Sequence, residues 1–295
     1  MQKAPIKTIR IVPTYACNLA CDYCYASKYI GEYPQMSWQL FSRIVDRLVK
    51  AGITQVVFIG GDPTMWEHLD RAIKTLYALG MSVTLLSNAI KRTSGVVPMS
   101  ITVNGTNLGS DRLRKIILPN LEWYREQGVY ISLRFNLRAS DSSALLKKYA
   151  TWGKEYADEV YFAPIVPYAF EKKLGKNLYD FAKMVRAHGQ KITLNRAMPF
   201  CIFTKPQMDY LREHAGLYTQ CQTGCNQMAI NPDGSILPCV DINMPSKIDA
   251  DINLTGEKLR KQGVALRDIP AREECLTCKH YKKDCQGGCL TTRVQ

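Results

Sequence analysis

The chain has 295 residues, 46% of them hydrophobic, and a formal net charge of +13. That composition supports one large buried core plus a smaller appendage, and no apolar run approaches the length of a membrane span, which excludes a helical membrane protein. The basic surplus alone would suggest a nucleic-acid surface or an acidic partner, but Lys and Arg are spread along the chain without a compact basic run, which weighs against nucleic acid.

Thr8 to Pro13 reads as the first strand. Ser37 then caps an amphipathic helix with Leu40, Phe41, Ile44, Val45, Leu48 and Val49 on one stripe. The run Gln55 to Ile59 suits a strand covered on both faces in a parallel sheet. Thr64 and Glu67 have capping-box spacing for the next helix, which ends at Gly80. Strands follow at Ser82 to Leu86 and Ser100 to Val103. Ser110 opens a helix toward Gly128, in which Pro119 introduces a kink or a break. Val129 to Leu137 is the fifth strand, with Ser132, Arg134 and Asn136 on one face. A helix over Ser143 to Tyr156, a sixth strand over Glu159 to Val166, a helix from Asn177 and a strand from Ile192 continue the alternation. Strands and helices alternating at this spacing predict a parallel α/β barrel or sheet, with ligand sites at the carboxyl ends of the strands. Cys17 to Cys24, Gly60-Gly61, Ser87-Asn88 and Asn104-Gly105 all fall at such ends.

The chain has eleven cysteines, an odd number in clustered spacings, behind a start, Met1 to Lys7, with no hydrophobic signal core. This pattern favours metal in a reducing compartment over disulfides, so a cytoplasmic protein is expected. Ligating thiols lose their protons, so the formal charge overstates the basic surplus. Cys17-Asn18-Leu19-Ala20-Cys21-Asp22-Tyr23-Cys24 sets three thiols at CxxxCxxC spacing. Three thiolates can hold three corners of a 4Fe–4S cube and leave the fourth iron open to a small molecule. A zinc knuckle is the alternative, but structural zinc wants four ligands, and the next cysteine after Cys24 is Cys201. Gly60 and Gly61, after the apolar run Val56 to Ile59, permit close backbone approach to a ligand, and Pro63 fixes the turn. Taken alone, the glycine pair would equally suit an ordinary strand-to-helix turn, and Ser87-Asn88 a loop cap.

In this order the segments resemble those of the radical S-adenosylmethionine (radical SAM) superfamily. The family pattern is CxxxCxφC with φ aromatic, the place Tyr23 fills. Gly60-Gly61-Asp62-Pro63 resembles the family's GGEP segment, and Ser87-Asn88 its ribose-binding segment. Asp62 departs from the commoner Glu, which shifts the carboxylate. The resemblance implies a partial (β/α)6 TIM-like barrel over residues 1–200. It implies that Cys17, Cys21 and Cys24 hold a 4Fe–4S cluster that binds S-adenosyl-L-methionine. Tyr23 would stack near adenine, Gly60, Gly61, Asp62 and Pro63 would meet the methionine amino end, and Ser87 and Asn88 the ribose or carboxylate. Arg134 is a candidate for the carboxylate, or else part of a barrel-lining ion pair.

From Cys201 onward helix periodicity weakens. Cys221 and Cys225 precede the turn Asn231-Pro232-Asp233-Gly234 and then Cys239; Cys275, Cys278, Cys285 and Cys289 close the set. This resembles the SPASM subgroup, with a small Cys-rich iron–sulfur domain over residues 201–295. The resemblance would put Cys221, Cys225, Cys239 and Cys289 on one auxiliary cluster and Cys275, Cys278 and Cys285 on a second. The family's usual last cysteine is absent, leaving an open iron, Cys201 as fourth thiolate, or a single auxiliary cluster. Two zinc sites or a zinc ribbon are the alternative. His280 lies between Cys278 and Cys285 and is a ligand or a solvated loop residue.

The activity implied is reductive cleavage of S-adenosylmethionine to a 5′-deoxyadenosyl radical, hydrogen-atom abstraction, and oxidative cross-linking or dehydrogenation of a ribosomally made peptide. Dehydrogenation or epimerisation of a small-molecule metabolite is the alternative. A non-catalytic iron–sulfur or zinc-binding module is the reading of another class. The expected partners are an electron donor such as flavodoxin or ferredoxin. With the first strand beginning near Thr8, a separate leader-peptide-binding protein is also expected. No general base is singled out, since Asp209, Glu213 and Asp241 fit surface carboxylates.

Overall fold

The computed structural model describes residues 7–221, 228–242 and 272–294. In chain order the main elements are β1 (Thr8–Ile11), α1 (Trp38–Lys50), β2 (Gln55–Phe58), α2 (Leu69–Ala78), β3 (Ser82–Ser87), β4 (Ser100–Asn104), α3 (Asp111–Glu126), β5 (Tyr130–Leu137), α4 (Ser143–Tyr156), β6 (Glu159–Pro164), α5 (Lys172–Ala187), β7 (Lys191–Leu194), α6 (Lys205–Ala215), β8 (Ala229–Ile230) and β9 (Ile236–Leu237). The fold is α/β, with a mostly parallel sheet of nine described strands that does not close, in keeping with the expected partial barrel. No described helix is long and apolar enough to cross a membrane. Two compact units divide the chain: Met1–Thr102 with Trp123–Val129 and Gln222–Leu266, and Val103–Glu122 with Tyr130–Cys221 and Arg267–Gln295.

In the first unit, Ser37 starts α1 by accepting a hydrogen bond from Leu40 N at 3.2 Å. The helix buries Phe41, Ile44, Val45 and Leu48, each contributing about 1.5–3 kcal/mol. Val49, at the edge of the expected stripe, is exposed. β1 pairs parallel with β2 from Thr8↔Gln55 to Ile11↔Phe58, and β2 with β3 from Gln55↔Ser82 to Phe58↔Leu85. The other edge of β1 takes β8, which returns antiparallel as β9 through the expected Asn231–Gly234 turn. This register ends the three parallel strands at nearly one level. The chain segments after β1, β2 and β3 therefore emerge side by side, and these are the segments carrying the cysteine triad, the glycine pair and Ser87-Asn88.

Several expectations need correcting. No helix lies between β3 and β4, so the strand–helix alternation breaks there. The Thr64/Glu67 capping box does not form. α2 begins at Leu69 behind His68, which makes no side-chain cap. Asp62 claims the hydroxyl instead: Thr64 Oγ1 donates to Asp62 Oδ1 at 2.7 Å, and Asp62 caps the short 3-10 turn Pro63–Met65. α3 is continuous through Pro119, so no break forms there.

In the second unit β5, β6 and β7 are parallel and in register, Ser132↔Glu159↔Lys191 through Phe135↔Phe162↔Leu194. One face of this sheet packs Phe135 and Phe162 edge-on to Phe181 of α5, both at 5.6 Å between centroids. The other face is polar, with Ser132, Arg134, Asn136, Tyr161 and Thr193. Buried Glu159 accepts from Thr193 Oγ1 at 3.0 Å and Tyr161 Oη at 3.2 Å, and pairs with Lys191 at 3.3 Å. α5 begins at Lys172, ahead of the expected Asn177, because Gly175 disguises its first turn. A Cβ there would lie 2.0 Å from Ile202 O, so the glycine serves packing. Sequence reading missed α6, although Thr204 and Gln207 form a capping box and Gly216, at φ +63°, ends it.

Candidate functional site

The cysteine loop is anchored at both ends. Tyr15 precedes it, buried against Tyr29 and Tyr33 at 5.0 and 5.5 Å between ring centroids, and its Oη donates to Asn231 Oδ1 at 2.7 Å. Beyond the loop, Ala26 and Tyr29 join Val12, Ile59, Ala229, Leu237 and Val240 in one apolar cluster, with Cys24 and Tyr25 packed against it. The β8–β9 turn thus fixes the loop through Tyr15. Nothing in the CxxxCxxC pattern signals that role, though the turn itself was legible.

Gly60 and Gly61 abut the start of the loop. Gly61 N donates to Thr14 O at 3.0 Å and Asp62 N to Ala16 O at 2.9 Å. A Cβ on Gly61 would lie 2.3 Å from Ala16 O and 2.4 Å from Tyr15 O; one on Gly60, at φ +147°, would lie 2.4 Å from Thr14 O. The close approach is to the chain's own backbone, immediately before Cys17. Tyr25, which sequence reading passed over, donates to Gly60 O at 3.2 Å.

Asp62 is fully buried and gathers the strand ends. Its Oδ1 accepts from Thr64 N at 3.0 Å, and its Oδ2 from Ser87 Oγ and Asn88 N, both at 2.8 Å. Ser87 Oγ also accepts from Ala89 N at 3.0 Å. Both side chains are used in positioning the site. Pro63 is buried in the turn that Asp62 caps. Ala89 takes the left-handed region at φ +57°, a strain of about 1–3 kcal/mol that turns the backbone just after Asn88. The Asn88 amide donates to Asn18 Oδ1 at 2.6 Å and lies 3.7 Å from Cys17 Sγ, so the third strand end meets the cysteine loop directly.

Cys17, Cys21 and Cys24 are half-buried free thiols. Burial, then Cys24, Cys17 and Asp22, push the Cys21 thiol up to about 11, opposed by a hydrogen bond from Tyr23. Burial, then Asp62 and Cys24, raise the Cys17 thiol, opposed by backbone hydrogen bonds. The three thiols lie close enough for their charges to act on one another, and that donor set fits an iron cluster. Each thiolate of a cluster meets its own iron, whereas one zinc ion needs its ligands about 2.0–2.3 Å from a common point. Among the described residues no group of three His, Cys, Asp or Glu side chains is placed to hold a single metal ion.

The other expected site residues divide by unit. Cys239 is in the first, and its charge reaches the Tyr25 phenol, which burial raises most. Cys225 lies outside the described residues. In the second unit, Arg134 projects from β5 beside Tyr161 in register. Cys221 and Cys289 are buried there, and Arg196, which sequence reading missed, donates from Nη1 to Cys289 Sγ at 3.2 Å. Burial, Cys221 and Cys289 push the Tyr218 phenol up to about 12, opposed by Arg196 and Arg134. Cys275, Cys278 and Cys285 occupy one folded loop: Cys278 N donates to Cys275 O at 3.0 Å, and Cys285 N to His280 O at 3.1 Å.

Three half-buried thiols stand at the end of the first strand of an open parallel α/β sheet and meet the next two strand ends. Residues 11–133 match the Radical SAM superfamily, so the chain carries a domain of that kind. It is 25% identical to the mycofactocin maturase MftC of Mycobacterium tuberculosis over 320 aligned positions, covering 95% of this chain and 77% of that protein. It is 32% identical to an AdoMet-dependent heme synthase of Oleidesulfovibrio alaskensis, over 31% of this chain and only 26% of that protein. Its fold is similar to that of Streptococcus suis SuiB bound to S-adenosylmethionine, with TM-score 0.72, 16% identity, and coverage of 97% of this chain and 73% of SuiB. SuiB has also been solved bound to its precursor peptide SuiA.

Proposed function

We propose that this enzyme reductively cleaves S-adenosyl-L-methionine and removes hydrogen from a ribosomally made peptide, cross-linking or dehydrogenating it. One observation carries the proposal: the Cys17–Cys24 triad is held against Asn88 and the Asp62 hub at adjacent strand ends. When bound, a 4Fe–4S cluster with S-adenosylmethionine supplies a radical that takes a hydrogen atom from substrate, and auxiliary clusters supply an acceptor for the electron left behind. The chain's part is positional. Cys17, Cys21 and Cys24 would ligate the first cluster, with Tyr23 within their loop and Asn88 beside it. Asp62, Ser87 and the glycine pair hold the loop and strand ends in place, while Arg134 presents a cation from the polar face of its sheet. Residues 201–295 would form the SPASM-like domain, with Cys221, Cys225, Cys239 and Cys289 on one auxiliary cluster and Cys275, Cys278 and Cys285 on a second.

The peptide reading is supported by the similarity to a maturase over most of both chains and to a fold solved with a precursor peptide. The test is anaerobic incubation of iron-loaded protein with S-adenosylmethionine, reduced flavodoxin or ferredoxin, and candidate precursor peptides. Formation of 5′-deoxyadenosine with loss of two hydrogens from a peptide is the expected result. 5′-Deoxyadenosine without any peptide change, but with turnover of a small metabolite, would reject the peptide substrate. No 5′-deoxyadenosine from fully iron-loaded protein would reject the activity.

A further inference from the structure

The loop from Cys275 to Cys285 offers three thiols to a cluster that has four irons. Three of the chain's eleven cysteines go to the first cluster and four to the first auxiliary cluster, so Cys201 is the one left over. It lies far from the loop in sequence but belongs to the same unit.

Its position is fixed by packing. Cys201 occupies the short 3-10 turn Phe200–Ile202. Behind the turn, α5 comes flush against the backbone at Gly175, where a Cβ would lie 2.0 Å from Ile202 O. In front, the Phe200 ring meets His280 edge-on, with 5.3 Å between centroids and a 90° interplanar angle, and Arg212 stacks on Phe200 at 5.1 Å. His280 lies inside the cysteine loop, so the turn bearing Cys201 is docked on that loop. Lys172 Nζ is tied to Phe203 O at 3.2 Å, keeping a cation beside this turn.

The competing donor is His280, whose Nδ1 lies 3.1 Å from both carboxylate oxygens of Asp284; that contact engages only one of its two ring nitrogens. Cys285, by contrast, presents a sulfur that already accepts from Gly287 N at 3.3 Å, the kind of amide contact that tunes cluster sulfurs.

We propose that Cys201 is the fourth thiolate of the iron–sulfur site formed with Cys275, Cys278 and Cys285. The inference rests on the reading of those three as cluster ligands, and the test separates the two.

The full chain, loaded with iron and sulfide anaerobically, is treated with iodoacetamide. The iron is then stripped with a chelator, newly freed thiols are capped with N-ethylmaleimide, and each cysteine is assigned by mass spectrometry. Cys201 is expected to be shielded to the same degree as Cys275, Cys278 and Cys285, and to react once the iron is removed. Alkylation of Cys201 in loaded protein, with the other three shielded, overturns the proposal and leaves the three-cysteine cluster standing. Alkylation of all four overturns both. Shielding by mere proximity is distinguished by Cys201→Ser and Cys201→Ala. Ligation predicts that the serine variant keeps its iron but shifts the electron paramagnetic resonance signal of the reduced cluster. It also predicts that the alanine variant loses about one to four irons from a total of about twelve. Unchanged iron content and an unchanged signal in both variants overturn the proposal.

Discussion

Asp62→Asn is the most direct test of how the strand ends are joined. The carboxylate is fully buried, and its donors are Thr64 N at 3.0 Å, Thr64 Oγ1 at 2.7 Å, Ser87 Oγ at 2.8 Å and Asn88 N at 2.8 Å. An amide keeps the volume but retains one acceptor oxygen. If that oxygen stays with Thr64, the new NH2 faces Ser87 and Asn88. The Ser87 hydroxyl can turn to accept, but the Asn88 backbone N–H then opposes another donor. A hydrogen bond to a charged acceptor contributes about 1.5–3 kcal/mol, and a buried unsatisfied donor costs about 1–3 kcal/mol, so a loss of about 2–4 kcal/mol is expected. Asp62→Glu, which restores the commoner family residue, forces one methylene into a filled site and should cost about 1–3 kcal/mol. The assay is urea unfolding of iron-loaded protein followed by fluorescence, for which buried Trp66 is a nearby reporter. Because Ser87 and Asp62 share a hydrogen bond, Ser87→Ala combined with Asp62→Asn should be less costly than the sum by about 1 kcal/mol. An Asp62→Asn loss below about 0.5 kcal/mol, or strict additivity with Ser87→Ala, would refute the reasoning.

Gly61→Ala should cost more than about 2 kcal/mol, because the new Cβ meets only backbone at 2.3–2.6 Å and no side chain can yield; it should also lower iron loading at Cys17, Cys21 and Cys24, measured as iron per chain. Arg196→Met removes a buried cation 3.2 Å from Cys289 Sγ, so the auxiliary cluster proposed at Cys289 should titrate at a lower potential in a spectroscopic redox titration, and an unmoved potential would separate Arg196 from that cluster. Burial and Glu159 push the Tyr161 phenol up from 10.0 to about 12. A raised folded-state value gives stability that is intact below about pH 10 and lost as pH rises toward about 12. The stability advantage of wild type over Tyr161→Phe should therefore shrink across that window, and a constant difference from pH 8 to 11.5 would count against the assignment.

The parts of this site that were legible in the sequence are those written in local spacing. The cysteine triad, the glycine pair after an apolar run and Ser87-Asn88 after the next strand could be placed at strand ends, because period-two and period-3.6 patterns locate the strands they follow. What those patterns omit is which donor each acceptor chooses. Thr64 and Glu67 have the spacing of a capping box, yet Asp62 is nearer and charged, so it takes the Thr64 hydroxyl and α2 begins later. α6 buries only Leu211 and Ala215, so its 3.6-residue apolar stripe is faint despite the caps at Thr204, Gln207 and Gly216. Arg196 carries no local signal at all; only folding brings it to Cys289, which is 93 residues away in sequence.

The glycine pair shows why the remainder could not be read. From sequence, two glycines at a strand end mean that something approaches the backbone closely. A ligand and another stretch of chain make the same demand, and spacing cannot separate them. The register of β1 against β2 shows that here the chain's own backbone makes that demand. With Ile11 level with Phe58, Thr14 to Ala16 must run alongside Gly60 and Gly61, and the space a Cβ would occupy is filled by their carbonyls. The approach of β2 to β1 therefore sets where Cys17 begins. Asp62, reaching to Ser87 and Asn88, then sets where β3 ends relative to both. The cysteine loop takes its position from hydrogen bonds that converge from two neighbouring strands. A substitution at Gly61 or Asp62 should consequently impair iron loading before it alters any group that touches substrate.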